Sequence, residues 1–253
     1  MAFSLVWMPQ ALRSAGLKVA EVPGWADRGR GPMQAIRGVI CHHTGTPGDQ
    51  NMPTLKMLIN GRSDLPGPLS QLGLARDGTY YVIAAGRANH AGAGSWAGHS
   101  GNSQFIGIEA ENSGTANDMW PEVQMDAYRR GVAALLKHLE LSSDRCCGHR
   151  EYAPRRKPDP LFDMDAFRTD VRSIINGTAI VRPLIPAADL NGKPTLRRGA
   201  RGDAVKQVQS KLGLKDDGIF GPTTEAAVRS FQRGQRLVAD GIVGPKSWEK
   251  LGL

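Results

Sequence analysis

Cysteine, aromatic residues and long apolar runs are all scarce in this chain of 253 residues. Its three cysteines, Cys41, Cys146 and Cys147, are an odd number with two adjacent, which excludes a disulfide framework and suits free thiols on buried strands of a protein folded in a reducing compartment. No stretch approaches the roughly 18 apolar residues of a membrane span, so no membrane insertion is expected. Residues 1–10 hold a short apolar patch without a basic flank or a small-residue cleavage signal, so no secretory signal peptide is expected and synthesis is placed in the cytoplasm. Acidic residues are also short, 24 against 32 basic, leaving a formal charge of +8 that suits an anionic polymer. The motifs of nucleic-acid readers are missing as well, with no helix-turn-helix, RNP or zinc-finger pattern beside that charge, so no nucleic acid is expected as partner.

What is present divides into two regions. Residues 1–35 read as a helix near 10–15 and then Gly-rich turns, an arm packed on a domain without chemistry of its own. Residues 38–44 form a β-branched run that ends in His42 and His43, which alternation sends to opposite faces. A short helix is predicted over 53–60, closed by Gly61. Arg76-Asp77-Gly78-Thr79, between apolar runs at 70–75 and 80–83, is a hairpin turn, because Asp-Gly readily takes the positive φ of a tight turn. In residues 105–111, Ile106 and Ile108 share one face while Glu109 and Glu111 share the other, where acids are either solvated or line a cleft. Helices are predicted over 121–139, with Val132, Leu135, Leu136 and Leu139 on the apolar side, and over 163–176, with Asp163 as N-cap. This mixture predicts an α/β domain over residues 1–176, built on a central mixed β-sheet flanked by helices.

Residues 177–194 contain three prolines and no periodicity and read as a linker. Beyond it, over 195–253, Asp217-Gly218-Ile219-Phe220-Gly221-Pro222 returns 23 residues later as Asp240-Gly241-Ile242-Val243-Gly244-Pro245. Each phrase is a turn that leads through Gly-Pro into a helix, proline being suited to the first helical position. A compact helical module with an internal pseudo-repeat follows, carrying eleven basic against six acidic residues.

The densest chemistry lies between Cys147 and Pro160. A residue before proline is pushed out of the α region, which applies to both Lys157 and Asp159, and in extended chain residues two apart point the same way. The two are therefore expected on one side of a stiff, helix-free loop, with His149 at its start; Lys-x-Asp in isolation reads first as an ion pair, and further ligands elsewhere in the chain tip the balance. Catalytic zinc takes three protein donors and keeps a fourth position for water. His42, His149 and Asp159 make such a set, with a net charge of about +1 on the complex. Glu109, on another strand, is available to take a proton from water, and Lys157 to stabilise an oxyanion. Spacing alone leaves His42 and His43 interchangeable.

Taken together, Ile40-Cys41-His42-His43-Thr44, Arg76-Asp77-Gly78, His90-Ala91-Gly92, Ile106-Gly107-Ile108-Glu109 and Gly148-His149 through Asp159 resemble the zinc-dependent N-acetylmuramoyl-L-alanine amidases. This is the type-2 amidase family, which shares its fold with phage T7 lysozyme and the animal peptidoglycan recognition proteins. The resemblance spans roughly residues 36–172, with the motifs in the family's order. Residues 196–253 separately resemble the three-helix peptidoglycan-binding domain. The resemblance implies His42, His149 and Asp159 as zinc ligands, the third being a cysteine in some members, and Glu109 and Lys157 as catalytic residues. It matches His90 to a histidine near the substrate groove and places His43 and Asn112 beside substrate. Ser70 stands where some members carry an active-site tyrosine, which puts more weight on Glu109.

The implied reaction is hydrolysis of the amide between the lactyl carbonyl of N-acetylmuramic acid and L-alanine of the stem peptide, with Zn2+ as cofactor and peptidoglycan as partner of a monomer. A wall-degrading enzyme without an export signal fits a phage or prophage endolysin that reaches the wall after release. Two other readings compete: a non-catalytic peptidoglycan recognition module, which a missing third ligand would favour, and a zinc peptidase acting on stem peptides, against which the order of the motifs speaks.

Overall fold

The computed structural model describes residues 3–48, 50–115, 118, 120–178, 193–237, 239 and 241–253. The chain forms two compact units, one of Met1–Gly48, Met52–Trp120 and Gln124–Ile180 and one built on Val181–Leu253. The segment expected as a linker, 177–194, lies almost wholly outside the described residues. Among the described residues, no helix is long and apolar enough to cross a membrane.

In the first unit, α1 (Met8–Ser14) and β1 (Lys18–Glu21) precede β2 (Gly38–His43), α2 (Leu55–Asn60) and a two-stranded ribbon of β3 (Gly61–Arg62) and β4 (Leu65–Pro66). Then come β5 (Leu72–Leu74), β6 (Thr79–Val82), β7 (Phe105–Ala110), α3 (Glu122–His138), β8 (Cys146–Gly148), α4 (His149–Tyr152) and α5 (Met164–Ile175). The main sheet has the order β1-β6-β5-β7-β2-β8 and is mixed: β5 and β6 pair antiparallel, and every other neighbouring pair is parallel. The β5–β6 hairpin closes as its Asp-Gly signal requires, with Gly78 at φ +77° and Asp77 Oδ1 accepting the Thr79 N–H at 2.9 Å.

Strand alternation divides the core. Val39, Cys41, Leu72, Leu74, Ile106, Ile108 and Cys146 point to the side that α1, α3 and α5 cover with Met8, Leu12, Tyr128, Val132, Leu136, Phe167 and Val171, all buried. The other side holds Ile40, Phe105 and Cys147 under Ala91, Tyr152 and Ala153, covered by loops and the one-turn α4 rather than by long helices. That thinner cover is where polar strand residues gather. The three thiols are buried and free.

The amino-terminal arm packs on the domain as expected, with Leu5, Met8 and Leu12 in the core, but the stretch after its helix, read as turns, includes β1, which is too short and too polar at its ends to show alternation and adds an edge strand beside β6. The stretch from His149 to Pro160, expected to be free of helix, is not, because His149–Tyr152 forms one turn that stops at Ala153, where Pro154 disfavours the α region. Elsewhere α3 and α5 agree with the periodicity, and Asp163 caps α5 by accepting the Asp165 and Ala166 N–H groups.

The second unit packs α6 (Asp203–Lys211), α7 (Pro222–Gly234) and α8 (Pro245–Leu251) around Leu196, Val205, Val208, Phe220, Val228, Val243, Trp248 and Leu251. The pseudo-repeat is structural, although Asp240 of its second phrase lies outside the described residues. Gln209 Nε2 donates to the Ile219 carbonyl (3.0 Å) and lies 3.0 Å from Thr224 Oγ1, while its Oε1 accepts the Gly218 N–H (2.9 Å). Gln232 repeats this with Ile242 (2.8 Å), Ser247 (3.2 Å) and Gly241 (2.9 Å). Each buried amide thus fastens one turn to the preceding helix. Replacing Gln232 with Leu strands the Gly241 N–H and leaves the Ile242 carbonyl with the Ser247 hydroxyl alone of its two side-chain donors among the described residues, and is expected to destabilise this unit by about 2 kcal/mol. Calorimetry checks it: the transition of the second unit should fall while that of the first stays in place.

Candidate metal centre

β7, β2 and β8 run parallel and side by side, so their carboxyl ends open on one edge of the sheet, the edge at which open α/β sheets hold ligands. Register places the chemistry there. His42 of β2 stands opposite Glu109 of β7, and Cys41 pairs with Gly148, which brings His42 level with His149 at the start of α4. Glu151 secures that start by accepting the Gly148 N–H at 2.8 Å, and Arg168 of α5 grips both Glu151 oxygens at 2.8 Å each. The loop returns because the Asp159 carbonyl accepts the Arg150 N–H at 2.6 Å, which lays Asp159 beside His149.

The result is a tight cluster of three donor atoms. His42 Nδ1 and His149 Nδ1 are 2.9 Å apart, and each is 3.2 Å from Asp159 Oδ2. All three residues are buried, His42 to 1% exposure. Behind them Tyr128 of α3 fixes the strand: its hydroxyl accepts the His42 N–H at 2.9 Å and lies 3.0 and 3.1 Å from the carbonyls of His42 and Ile108. His149 Nε2 is 2.9 Å from the Ala91 carbonyl, which only accepts, so Nε2 carries a proton and Nδ1 is the ring nitrogen turned to the cluster.

Charge states suit a cation. Burial drives His42 down from 6.5 to about 4, so it is neutral near pH 7 and has no proton to shed on binding a metal. Burial also pushes Asp159 upward, but contact with His149 and His42 outweighs it and holds the carboxyl well below the usual carboxylate range. Glu109 is different. Burial raises its carboxyl well above 4.5, Asp159 adds to this, and the Lys157 ammonium opposes it. Glu109 Oε1 lies 3.9 Å from His42 Nδ1, while Oε2 is buried with no hydrogen-bond partner among the described residues. Lys157 is half-buried beside this group and forms no ion pair with Asp159 among the described residues.

The other residues singled out from the sequence lie differently. His43 faces away from the cluster and packs on Gly114; its Nδ1 is buried without a partner among the described residues. His90, expected near a substrate groove, is buried with both ring nitrogens on protein atoms, 3.1 Å from His42 Nε2 and 3.1 Å from the Phe105 carbonyl. Asn112 is also buried and spends its amide on its own loop, Oδ1 accepting the Gly114 N–H and Nδ2 donating to the Asp118 carbonyl. Glu111, on the same face as Glu109, neither meets solvent nor lines the site: Thr44 and Thr54 donate to its two oxygens at 3.0 and 2.6 Å. Ser70 is fully buried. Tyr128 and Asn102, which shape the site from behind, gave no signal beyond a helix position and a loop polar residue.

At the carboxyl ends of the parallel strands of this mixed sheet, two imidazoles and a carboxylate that could hold a metal ion thus meet a second acid and a nearby ammonium. The sequence model of the N-acetylmuramoyl-L-alanine amidases matches residues 32–161, more than half of the chain, and the chain belongs to that family. A second model, for a peptidoglycan binding domain, matches residues 201–251. Among curated relatives, the chain is 43% identical over 65 residues to "Zinc D-Ala-D-Ala carboxypeptidase" of Streptomyces albus G, covering 22% of this chain and 26% of that protein. It is 22% identical over 250 residues to "N-acetylmuramoyl-L-alanine amidase CwlL" of Bacillus licheniformis, covering 87% of this chain and 66% of the relative. The chain thus spans about a quarter of one relative and just under two thirds of the other. A solved "Mutant endolysin from Bacillus subtilis" aligns over 61% of this chain and 99% of its own at 17% identity and a TM-score of 0.47.

The raised Glu109 carboxyl sets a pH dependence in the metal-free protein. Below about 4.5 the group is protonated whether the chain is folded or not; above it the unfolded chain ionises while the folded one keeps its proton, so stability falls as pH rises toward the folded value. Denaturant titrations of metal-free protein at pH 4 and pH 7 should show E109Q gaining stability over wild type at pH 7 and little at pH 4.

Proposed function

We propose that this chain is a zinc-dependent N-acetylmuramoyl-L-alanine amidase that cleaves the bond between the lactyl carbonyl of N-acetylmuramic acid and the L-alanine of the stem peptide in peptidoglycan. The observation that carries the reading is the meeting of His42 Nδ1, His149 Nδ1 and Asp159 Oδ2 within 3.2 Å of one another. Two imidazoles and one carboxylate fit zinc as donor types, and three such atoms this close converge on a point where one cation could bind all of them. Bound there, zinc would supply Lewis acidity toward water and the substrate carbonyl.

The chain's own residues would do the rest. Glu109 is the base: its carboxyl sits 3.9 Å from His42 Nδ1 and has an oxygen unpaired among the described residues, and the elevated affinity for protons that burial gives it suits taking one from water and passing it to the leaving amine. Lys157 keeps its ammonium free of Asp159 and available to the oxygen on which negative charge grows as the carbonyl is attacked. The carboxy-terminal unit, with its basic surplus and its match to peptidoglycan binding domains, would hold the enzyme on the polymer. The division assigned is a catalytic domain over 1–176, a linker over 177–194 and a binding domain over 195–253.

Purified sacculi provide the test. Digestion should release new alanine amino termini without new reducing sugar ends, chelation should abolish the release, and zinc should restore it. E109A and K157A should each slow it by about 100-fold or more while zinc still binds, and D159A should lose the metal. New reducing ends, or stem peptides cut between amino acids with no alanine amine exposed, would show a glycosidase or a peptidase instead. Zinc uptake without any cleavage would leave a recognition module.

A further inference from the structure

The geometry points to His90 as a positioning residue that fixes His42 as an Nδ1 donor, with the backbone of the same turn doing the same for His149; the inference rests on the zinc centre proposed above. It follows from counting protons along a chain of contacts. The Phe105 carbonyl, 3.1 Å from His90 Nε2, can only accept, so His90 Nε2 carries a proton. Among the described residues no carboxylate contacts His90, which is 7% exposed, so the ring is neutral and its Nδ1 is a bare acceptor. His42 Nε2, 3.1 Å from that Nδ1, must then be the donor, and His42 Nδ1 is left bare toward His149 and Asp159. The opposite tautomer of His42 would require a doubly protonated, buried His90.

The neighbouring residue completes the arrangement. The Ala91 carbonyl lies 2.9 Å from His149 Nε2. Arg156 also approaches that nitrogen, at 3.3 Å, but donates at shorter range to the carbonyls of Ala91 (2.7 Å) and Ala93 (2.8 Å), so Nε2 keeps its proton. One dipeptide therefore sets both imidazoles, and Asn102 holds it in place: its Oδ1 accepts the N–H of His90 at 3.1 Å and of Ala91 at 2.7 Å. Space for the His90 ring comes from Gly107 on β7, where a Cβ would fall 2.5 Å from the ring Cγ. Glycine in the Ile106-Gly107-Ile108-Glu109 strand is thus a requirement of the histidine behind the centre. Outer contacts of this kind orient metal histidines, and their loss commonly costs 10–100-fold in metal affinity.

The test uses the full chain, metal-free and labelled with 15N at histidine, and reads the ring tautomers from long-range 15N–1H spectra alongside zinc affinity from chelator competition. In the wild type both His42 and His149 should carry the proton on Nε2. His90→Phe keeps the volume but removes the acceptor: His42 should shift toward the Nδ1–H form and zinc affinity should fall by about 10–100-fold. His90→Asn, which can place Oδ1 where the ring Nδ1 was, should recover most of both, and Gly107→Ala should mimic the loss without altering His90. A wild-type His42 protonated on Nδ1, or a folded His90→Phe variant with unchanged tautomer and affinity within twofold of wild type, would overturn the inference. If His90→Phe does not fold, the wild-type spectrum and His90→Asn decide. Failure of the wild type to take up zinc would remove the zinc reading itself, whereas the metal-free spectra still decide what His90 does.

Discussion

Three lone-pair atoms, two imidazole nitrogens and one carboxylate oxygen, are held within hydrogen-bonding distance of each other in a buried part of the protein. With both Nδ1 atoms unprotonated such a cluster is repulsive unless a positive charge, a proton or a metal ion, lies between them, and burial removes the water that would screen it. The surrounding structure can be understood as what is needed to keep those atoms together. Parallel register sets His42 beside Glu109 and level with His149, the Arg168–Glu151 fork and the Arg150–Asp159 backbone contact close the loop that carries Asp159, and Tyr128 ties the end of β2 from beneath.

The two sides of the sheet divide the labour. Helices α1, α3 and α5 bury one face under a continuous apolar layer, which supplies rigidity. The opposite face is covered by loops and a single helical turn, so polar side chains from β2, β7 and the start of α4 can meet there without being sealed under a helix. Glu109 and Glu111 show how finely this is tuned. Two residues apart on one face, one carboxylate is consumed by two threonines and the other retains, among the described residues, an unpaired oxygen next to the donor set. The catalytic role proposed for Glu109 rests on that difference in hydrogen bonding.

Much of this was legible in the sequence, and the limits have physical causes. Strong alternation and turn chemistry revealed β2, the β5–β6 hairpin, β7 and the two long helices, because each is a local pattern. The edge strand β1 and the single turn α4 are set by neighbours rather than by local preference, and no periodicity announces them. Residue types and motif order pointed to His42, Glu109, His149, Lys157 and Asp159, yet not to why Nδ1 rather than Nε2 faces inward in either histidine. That depends on where backbone carbonyls and a second buried imidazole lie, information carried only by the fold. Asn112 and His90 drew attention for their chemistry, and the fold buries both with their polar atoms on protein partners, a placement that depends on long-range packing and leaves no local pattern in the sequence.

X-ray diffraction from crystals of the zinc-loaded chain, with anomalous data on both sides of the zinc edge, tests the account most directly. It predicts one zinc bound by His42 and His149 through Nδ1 and by Asp159, with Glu109 beside it but not coordinated and His90 still bridging His42 Nε2 and the Phe105 carbonyl. Zinc on His43, ligation through Nε2, or an anomalous peak away from these three residues would contradict it.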